Sequence, residues 1–123
     1  MTLLDVAQLQ ARLRQFSEDR DWNRFHTPKN LVMALAGEAG ELAAVLQWVD
    51  GHEATEATAE GGGLRNELTD EMADVMIYLA RLADVVDVDL NDAVGAKLLR
   101  NEQRFPSQVD PDRPETVGSG EGD

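Results

Sequence analysis

Residues 30–49 read NLVMALAGEAGELAAVLQWV, and their pattern decides the fold. Apolar side chains recur three or four positions apart, which at about 100° per residue puts them on one face of a helix. Glu38 lies in the middle of this apolar stripe, and Glu41 lies on its flank. An ionised carboxylate is costly to bury unless it is paired with a cation or bound to a metal. The stretch therefore predicts a helix that carries two acids toward the interior of the protein.

A second stretch, residues 64–86, repeats this arrangement. Glu71 lies inside its apolar stripe, and Asp74 lies along one edge, three residues further on. The chain has 24 acidic side chains against 11 Lys and Arg, and no cation lies on either stripe near these acids. A divalent cation is therefore the expected partner of the four acids. Ligands that offer only oxygen favour Mg²⁺, with Mn²⁺ as the alternative.

Two further helices flank these stretches. The first spans roughly residues 3–20, where apolar side chains again share one face. The fourth follows a break at residues 87–89 and runs to about Arg104, because Pro106 cannot continue a helix. The pattern predicts an all-α fold, a helical bundle of about four helices. A chain this small is expected to complete its bundle by oligomerisation.

The connecting segments carry signals of their own. Thr27 and Pro28 suit the N-cap and the first position of the second helix. Residues 51–63 end in three consecutive glycines and predict a mobile loop, which either closes over the site as a lid or only joins two helices. We expect residues 1–106 to form one domain and residues 107–123, rich in Pro, Gly and charge, to form a disordered acidic tail.

Composition excludes several classes of function. A net charge of −13 argues against a nucleic-acid partner, because phosphate backbones are bound by clustered Lys and Arg. The absence of cysteine excludes a thiol nucleophile and a zinc–thiolate site, and it fits a reducing cytoplasm. No run of 18 apolar residues occurs, so we expect a cytoplasmic protein without a signal peptide or membrane span.

The acids form two pairs, each with members three residues apart, so each pair projects from one side of its helix. Two such pairs on facing helices would supply up to four anionic ligands to a metal. As a bare pattern, Glu-x-x-Glu also occurs on solvated helix faces. A di-iron centre would need Glu-x-x-His, and neither His26 nor His52 follows an inward glutamate by three residues.

The fourth predicted helix carries a second group of polar side chains. Lys97, Asn101 and Arg104 lie on roughly one face and offer an ammonium, an amide and a guanidinium that suit phosphate oxygens. Cations near the end of a helix also complement its dipole. From the residues alone, both interpretations of this group stay open.

Large rings are few, and four of them are candidates for binding a flat base: Trp22, His26, Trp48 and Tyr78. Tyr78 follows Asp74 by one helical turn, and Trp48 follows Glu41 by two. Rings this close to an acidic site can stack on a base. Rings at such spacing also form ordinary hydrophobic cores, so spacing does not decide between the two.

Several short motifs occur in a distinctive order: Arg20-Asp21-Trp22, Phe25 to Leu31, Gly37 to Leu42, Gln47-Trp48, Glu67 to Leu79 and Lys97 to Pro106. Each motif is common by itself, whereas the combination is specific. In this order the chain resembles the MazG-like all-α nucleoside triphosphate pyrophosphohydrolases, most closely their dCTP pyrophosphatase branch. The resemblance covers about residues 5–106.

The resemblance implies that a nucleoside triphosphate is hydrolysed between its α and β phosphates, giving the monophosphate and pyrophosphate. It implies that Mg²⁺ is held by four acids: Glu38, Glu41, Glu71 and Asp74. It implies that Lys97 and Asn101 hold phosphates, and we add Arg104 to them. In this branch the nucleotide is surrounded by rings that match Trp22, Trp48 and Tyr78, together with His26. The resemblance also implies a homodimer or a homotetramer with shared sites.

Two positions depart from the broader pattern of these enzymes. Gly37 stands where the broader pattern has a glutamate, but the dCTP pyrophosphatase branch shares this glycine. Leu13 stands where some dCTP pyrophosphatases carry a histidine that contacts the base. The second difference leaves the preferred base open.

We therefore expect a Mg²⁺-dependent enzyme that cleaves dCTP or a modified pyrimidine deoxynucleotide and cleans the nucleotide pool. Mg²⁺ would offset the repulsion between a triphosphate and an acidic protein, and Glu38 or Glu41 would deprotonate the attacking water. The alternative is a non-catalytic module for metal–nucleotide binding or dimerisation. A purely structural bundle would need cations beside its inward acids, and too few Lys and Arg are present.

Overall fold

The computed structural model describes residues 5–108, which form five α-helices and one short 3₁₀ turn and contain no β-strand. The helices are α1 (Val6–Asp19), α2 (Pro28–Leu46), α3 (Gly51–Thr58), α4 (Arg65–Val85) and α5 (Leu90–Arg104), and the 3₁₀ turn spans Asn23–Phe25. The prediction of an all-α fold is confirmed. Leu3, which we placed on the first helix, and most of the predicted tail, residues 109–123, lie outside the described residues.

The first two helices begin at side chains that cap them. The carboxylate of Asp5 accepts a hydrogen bond from the backbone N–H of Gln8 at 3.1 Å. The hydroxyl of Thr27 accepts one from the N–H of Asn30 at 3.2 Å, and Pro28 occupies the first turn of α2. Each cap satisfies a backbone donor that has no partner inside its own helix. The predicted start of α2 at these residues is correct.

The prediction of a mobile loop over residues 51–63 was wrong for its first half, which is helix α3. The carboxylate of Asp50 accepts a hydrogen bond from the N–H of Glu53 at 2.8 Å and so caps this helix. The remaining turn is held to α3, because the guanidinium of Arg65 donates to the carbonyl of Thr58 at 3.0 Å. Asp50-Gly51 therefore begins a helix, whereas α2 has already ended at Leu46.

Helix α4 is the central element of the first part of the fold. Helix α2 packs along it most extensively, and α1 and α3 also pack against it. The buried apolar side chains within the described residues are Leu31, Ala80 and Ala83. Small residues at the last two positions let the neighbouring helices approach α4 closely. Completion of this small core by a second subunit stays a prediction.

Polar contacts fix α1 against α4. The side-chain amide of Gln10 donates to the carbonyl of Ala80 at 3.0 Å. The guanidinium of Arg14 donates two hydrogen bonds to the carboxylate of Asp84, at 3.0 and 2.8 Å. A two-point contact between guanidinium and carboxylate sets orientation as well as distance.

The chain divides after Leu90 into two compact units, and most of α5 belongs to the second. Along α5, Lys97, Asn101 and Arg104 follow one another at intervals of four and three residues, and all three keep the helical conformation. No single helix of the described part is long and apolar enough to cross a membrane. Helices α2 and α3, bent by 103° at their junction, meet that requirement only as a pair.

Candidate metal centre

Three acids meet where α2 faces α4. Glu38 comes from α2, and Glu71 and Asp74 come from neighbouring turns of α4. Each offers a carboxylate oxygen such that these oxygens all lie within 4.8 Å of one another, and all three residues are half-buried. Helical residues three positions apart project side by side, which is why one helix can supply two of the three acids. Glu38 and Glu71, which the sequence places within the apolar stripes, are therefore among the three acids that converge.

Two buried carboxylate oxygens of this cluster lack hydrogen-bond partners. One oxygen of Glu38 and one of Glu71, Oε2 in each case, are inaccessible to solvent and accept no hydrogen bond within residues 5–108. None of the ion pairs formed in this part of the chain involves the three acids. A buried polar atom without a partner costs free energy, and a buried charge costs more. This finding argues against the purely structural bundle, in which cations would pair with these acids.

Burial raises the pKa of Glu38 above its ordinary value, and the negative charges of Glu41 and Asp74 raise this pKa further. Burial and the same two neighbours also raise the pKa of Glu71. Both effects disfavour the ionised form, and a bound cation would reverse them by supplying the opposite charge. Glu38 and Glu71 therefore keep their protons to a higher pH than free glutamate does, and a bound metal ion would favour their ionised forms.

The donor set fits a hard divalent metal. The cluster offers carboxylate oxygens and neither imidazole nor thiolate, and this chemistry suits Mg²⁺, Ca²⁺ and Mn²⁺ more than Zn²⁺. Glu41, the fourth predicted ligand, is exposed and does not belong to the close group of three. Its carboxylate lies near enough to influence the pKa values of Glu38 and Glu71. The structure thus places Glu41 at the rim of the cluster.

A pocket of about 130 Å³ lies between α1, the 3₁₀ turn and α4. Three of the four candidate base-binding rings line it: Trp22, His26 and Tyr78. Tyr78 is one helical turn from Asp74, so the pocket continues along the same side of α4 as the acids. Its apolar wall includes Leu13, the residue at which we noted a departure from some dCTP pyrophosphatases.

The fourth ring, Trp48, does not line this pocket and is 89% exposed. A tryptophan with this exposure is not part of a hydrophobic core within the described chain. Trp22 is also 45% exposed, and its ring meets that of Phe16 edge to face at 5.5 Å between centroids. The interpretation of these two rings as ordinary core residues is therefore not supported. A role for Trp48 at the nucleotide stays a prediction.

Sequence reasoning missed Arg81, which lines the pocket and is only 7% exposed. It lies three residues after Tyr78 and so projects from the same side of α4. A charged residue on the inward side of an apolar helix was the available signal. Lys97, Asn101 and Arg104 belong to the second unit of the chain, and their contact with phosphates stays a prediction.

The chain is similar to known proteins over most of its length. Residues 26–109 match the MazG nucleotide pyrophosphohydrolase domain. The chain is 44% identical over 105 residues to mouse (Mus musculus) dCTP pyrophosphatase 1, covering 85% of this chain and 59% of that protein. It is 41% identical over 109 residues to the human (Homo sapiens) dCTP pyrophosphatase 1, covering 88% of this chain and 61% of the human protein. The chain thus spans about three fifths of the length of these relatives.

A solved structure is also similar. The crystal structure of a pyrophosphatase from Archaeoglobus fulgidus superposes with a TM-score of 0.77 at 33% sequence identity. The match covers 87% of this chain and 97% of the archaeal one. The two chains therefore share the all-α fold.

Proposed function

Because the chain belongs to the MazG nucleotide pyrophosphohydrolase family, we propose that it hydrolyses a nucleoside triphosphate to the monophosphate and pyrophosphate. One observation carries this proposal. Glu38, Glu71 and Asp74 converge between α2 and α4, and two of their buried oxygens have no partner within residues 5–108. Such an arrangement is costly in a structural bundle and useful in an enzyme that recruits a divalent cation.

Glu38, Glu71 and Asp74 would hold the metal, which we propose is Mg²⁺, with Mn²⁺ as a substitute. Bound there, the ion would supply charge neutralisation for the phosphate oxygens, which gain negative charge during hydrolysis. The −13 charge of the chain repels a free triphosphate, so this neutralisation would favour binding of the substrate. Glu41 completes the predicted set from the rim of the cluster.

The chain's own acids would also handle the attacking water. We propose that Glu41 accepts a proton from this water, because its exposed carboxylate lies at the open rim of the cluster. Glu38 is the alternative base, since it is the other acid from α2. The water oxygen would form a new bond to phosphorus while the phosphoanhydride bond between the α and β phosphates breaks. Pyrophosphate would leave with the electron pair of that bond.

We propose that the base of the nucleotide occupies the pocket formed by Trp22, His26 and Tyr78, with Trp48 contributing to the same site. The relatives named dCTP pyrophosphatase 1 support dCTP or a modified pyrimidine deoxynucleotide as the substrate. Lys97, Asn101 and Arg104 would contact the phosphates, as the sequence predicts.

The remaining features of the proposal follow from this role. We propose a homodimer or homotetramer, because the core of one chain is small and many apolar side chains are exposed. No nucleic-acid partner is proposed, since the chain is strongly acidic. Removal of modified nucleotides from the cytoplasmic pool is the role that such an activity would serve, and we propose that location.

Product analysis tests the proposal. The purified protein is incubated with Mg²⁺ and a panel of standard and modified nucleoside triphosphates, and monophosphate and pyrophosphate are scored separately from diphosphate and orthophosphate. We expect monophosphate and pyrophosphate in equal amounts, lost on adding EDTA and restored by excess Mg²⁺. Mg²⁺-dependent nucleotide binding without turnover of any triphosphate would contradict the proposal and favour the non-catalytic binding module.

A further inference from the structure

Arg81 is a buried cation with three hydrogen-bonded partners at the wall of the pocket. Its side chain is 8% exposed. Nε donates to Nδ1 of His26 at 3.0 Å, Nη2 donates to Oδ1 of Asn23 at 2.8 Å, and Nη1 contacts Oδ2 of Asp84 at 3.3 Å. The guanidinium therefore ties α4 to the segment that joins α1 and α2. The partners set its orientation, because the three groups on the guanidinium are fixed in one plane.

This contact decides which nitrogen of His26 carries the proton. A guanidinium donates hydrogen bonds and never accepts them, so Nδ1 of His26 must present a lone pair to Arg81. The hydroxyl of Ser17 lies 3.5 Å from the same nitrogen. A neutral imidazole whose Nδ1 is an acceptor carries its proton on Nε2. Burial and the charge of Arg81 both lower the pKa of His26, which keeps the ring neutral.

The fixed tautomer leaves one polar donor for a ligand. Both hydrogen bonds of the His26 ring within residues 5–108 involve Nδ1, so they do not occupy the N–H on Nε2. The ring lines the pocket beside the apolar side chains of Leu13, Phe16 and Ile77. His26 is half-buried, and a ligand that covers its N–H without offering a matching acceptor would leave that donor unsatisfied.

Resting on the proposed function, we propose that Arg81 is a positioning residue that holds His26 as a neutral Nε2–H donor for an acceptor on the edge of the nucleotide base. For a cytosine the acceptors are the O2 carbonyl and the N3 lone pair. The base would then be selected by whether it offers an acceptor to the N–H on Nε2, and His26 would not need to be protonated on both nitrogens. Arg81 touches the ring and acts on the base only through it.

Nitrogen NMR tests the tautomer directly and requires no turnover. The chain has two histidines, so a His52→Gln variant assigns the resonances in protein carrying ¹⁵N-labelled histidine. We expect protonated Nε2 and unprotonated Nδ1 for His26 at neutral pH. A wild-type ring that carries its proton on Nδ1, or on both nitrogens at neutral pH, would overturn the proposal.

Variants separate positioning from stability. In Arg81→Met the ring loses its fixed partner, and we expect a mixture of tautomers. Arg14→Gln is the matched control, because Arg14 binds the same Asp84 without touching His26, and its His26 spectrum should equal the wild type. Arg81→Lys keeps the charge without the planar fork and should restore the wild-type tautomer only in part. If folded Arg81→Met gave the same His26 spectrum as the wild type, the proposal would be contradicted. If that variant does not fold, the wild-type and Arg81→Lys spectra decide.

Kinetics test the consequence for the base. With dCTP, we expect Arg81→Met to raise KM about tenfold and to change kcat less than about twofold, since one base contact is lost and the phosphate chemistry is kept. The analogues 2-thio-dCTP and 3-deaza-dCTP weaken O2 or remove N3 as an acceptor. One of them should lose about tenfold in kcat/KM with the wild type and little with Arg81→Met. Equal losses in both proteins would contradict the role, whereas no turnover of any triphosphate would sink the proposed function and leave the NMR test standing.

Discussion

Glu38 of α2 and Glu71 of α4 face each other, and each keeps one buried carboxylate oxygen without a hydrogen-bond partner in residues 5–108. Like charges on facing helices oppose the packing that joins those helices. A divalent cation would turn this repulsion into a link between α2 and α4, with Asp74 as the third ligand. The stability of this helix pair should therefore depend on metal and on pH.

Stabilisation by Mg²⁺ should grow as the pH rises. In the folded protein the pKa values of Glu38 and Glu71 are raised above the ordinary value of 4.5. Without metal, the stability that these groups contribute is therefore fully present below pH 4.5. It is lost as the pH rises through their pKa values in the folded state. Metal binding depends on pH in the opposite direction: it becomes stronger as the pH rises, because it requires both carboxyl groups to be ionised. At a concentration of 100 times Kd, a ligand adds about 2.7 kcal/mol to the free energy of unfolding.

Thermal unfolding with Mg²⁺ and with EDTA at several pH values measures this dependence. We expect the difference in Tm between the two conditions to be small near pH 4 and large near pH 8. An equal difference at all pH values would show that the raised carboxyl groups do not hold the metal.

Removing one acid of the cluster should abolish activity without unfolding the protein. In Asp74→Asn one metal ligand becomes a neutral amide, and we expect kcat/KM to fall by more than about 100-fold, since even outer partners of metal ligands cost 10- to 100-fold. Without metal, the free energy of unfolding should not fall, because a like charge has been removed. Asp70→Asn, an exposed acid on the same helix, is the matched control and should retain activity.

Asp84→Asn should weaken the contact between α1 and α4. The hydrogen bond from Arg14 is the largest cause of the lowered pKa of Asp84, and the charges of Arg14 and Arg81 add to it. Because the pKa of Asp84 is lower in the folded protein than its ordinary value of 3.8, the ionised carboxylate stabilises the fold above pH 3.8. This stabilisation is lost as the pH falls through the pKa of Asp84 in the folded state. At pH 7 we expect a loss of about 1–3 kcal/mol in the free energy of unfolding.

Urea unfolding across pH checks this sign. The difference between wild type and Asp84→Asn should shrink as the pH falls below 3.8. Arg14→Gln removes only the half-exposed partner and should lower the free energy of unfolding less than Asp84→Asn does. A difference that stays constant down to acid pH would show that the effect is one of packing.

Gly62 should not tolerate a side chain. A Cβ atom at this position would clash with the carbonyl of Ala57 at the end of α3, so the turn that leads to α4 would have to move. We expect Gly62→Ala to lower the free energy of unfolding by about 1–3 kcal/mol. Gly63→Ala is the control, since nothing lies within 4 Å of the Cβ built there. Similar urea midpoints for the two variants would refute this view of the turn.

The all-α fold and the inward acids could be predicted because both follow from local periodicity. Glu38 and Glu71 interrupt apolar stripes within single helices, and a stripe is visible without tertiary information. Helix α3 was missed because Asp50-Gly51 suits a helix start and a helix end equally well. Only the hydrogen bond from the backbone N–H of Glu53 to the carboxylate of Asp50 decides between them.

The network around Arg81 could not be predicted from local pattern. Its partners His26 and Asn23 lie 55 and 58 residues earlier in the chain. Contacts over such separations depend on how α1, the 3₁₀ turn and α4 pack, and no short motif records that packing. The position of Glu41 could be predicted only in part. The sequence places it on the flank of the apolar stripe, but it does not give the distance from Glu41 to the other acids.

A crystal structure of the protein with Mn²⁺ in place of Mg²⁺ tests the central claim most directly, since Mn²⁺ takes the same oxygen ligands and scatters anomalously. We predict an anomalous peak between α2 and α4, bound by oxygens of Glu38, Glu71 and Asp74 at about 2.2 Å. The same crystal of Asp74→Asn should lose or weaken this peak. Full occupancy of Mn²⁺ elsewhere, with the three acids left without an ion, would contradict the account.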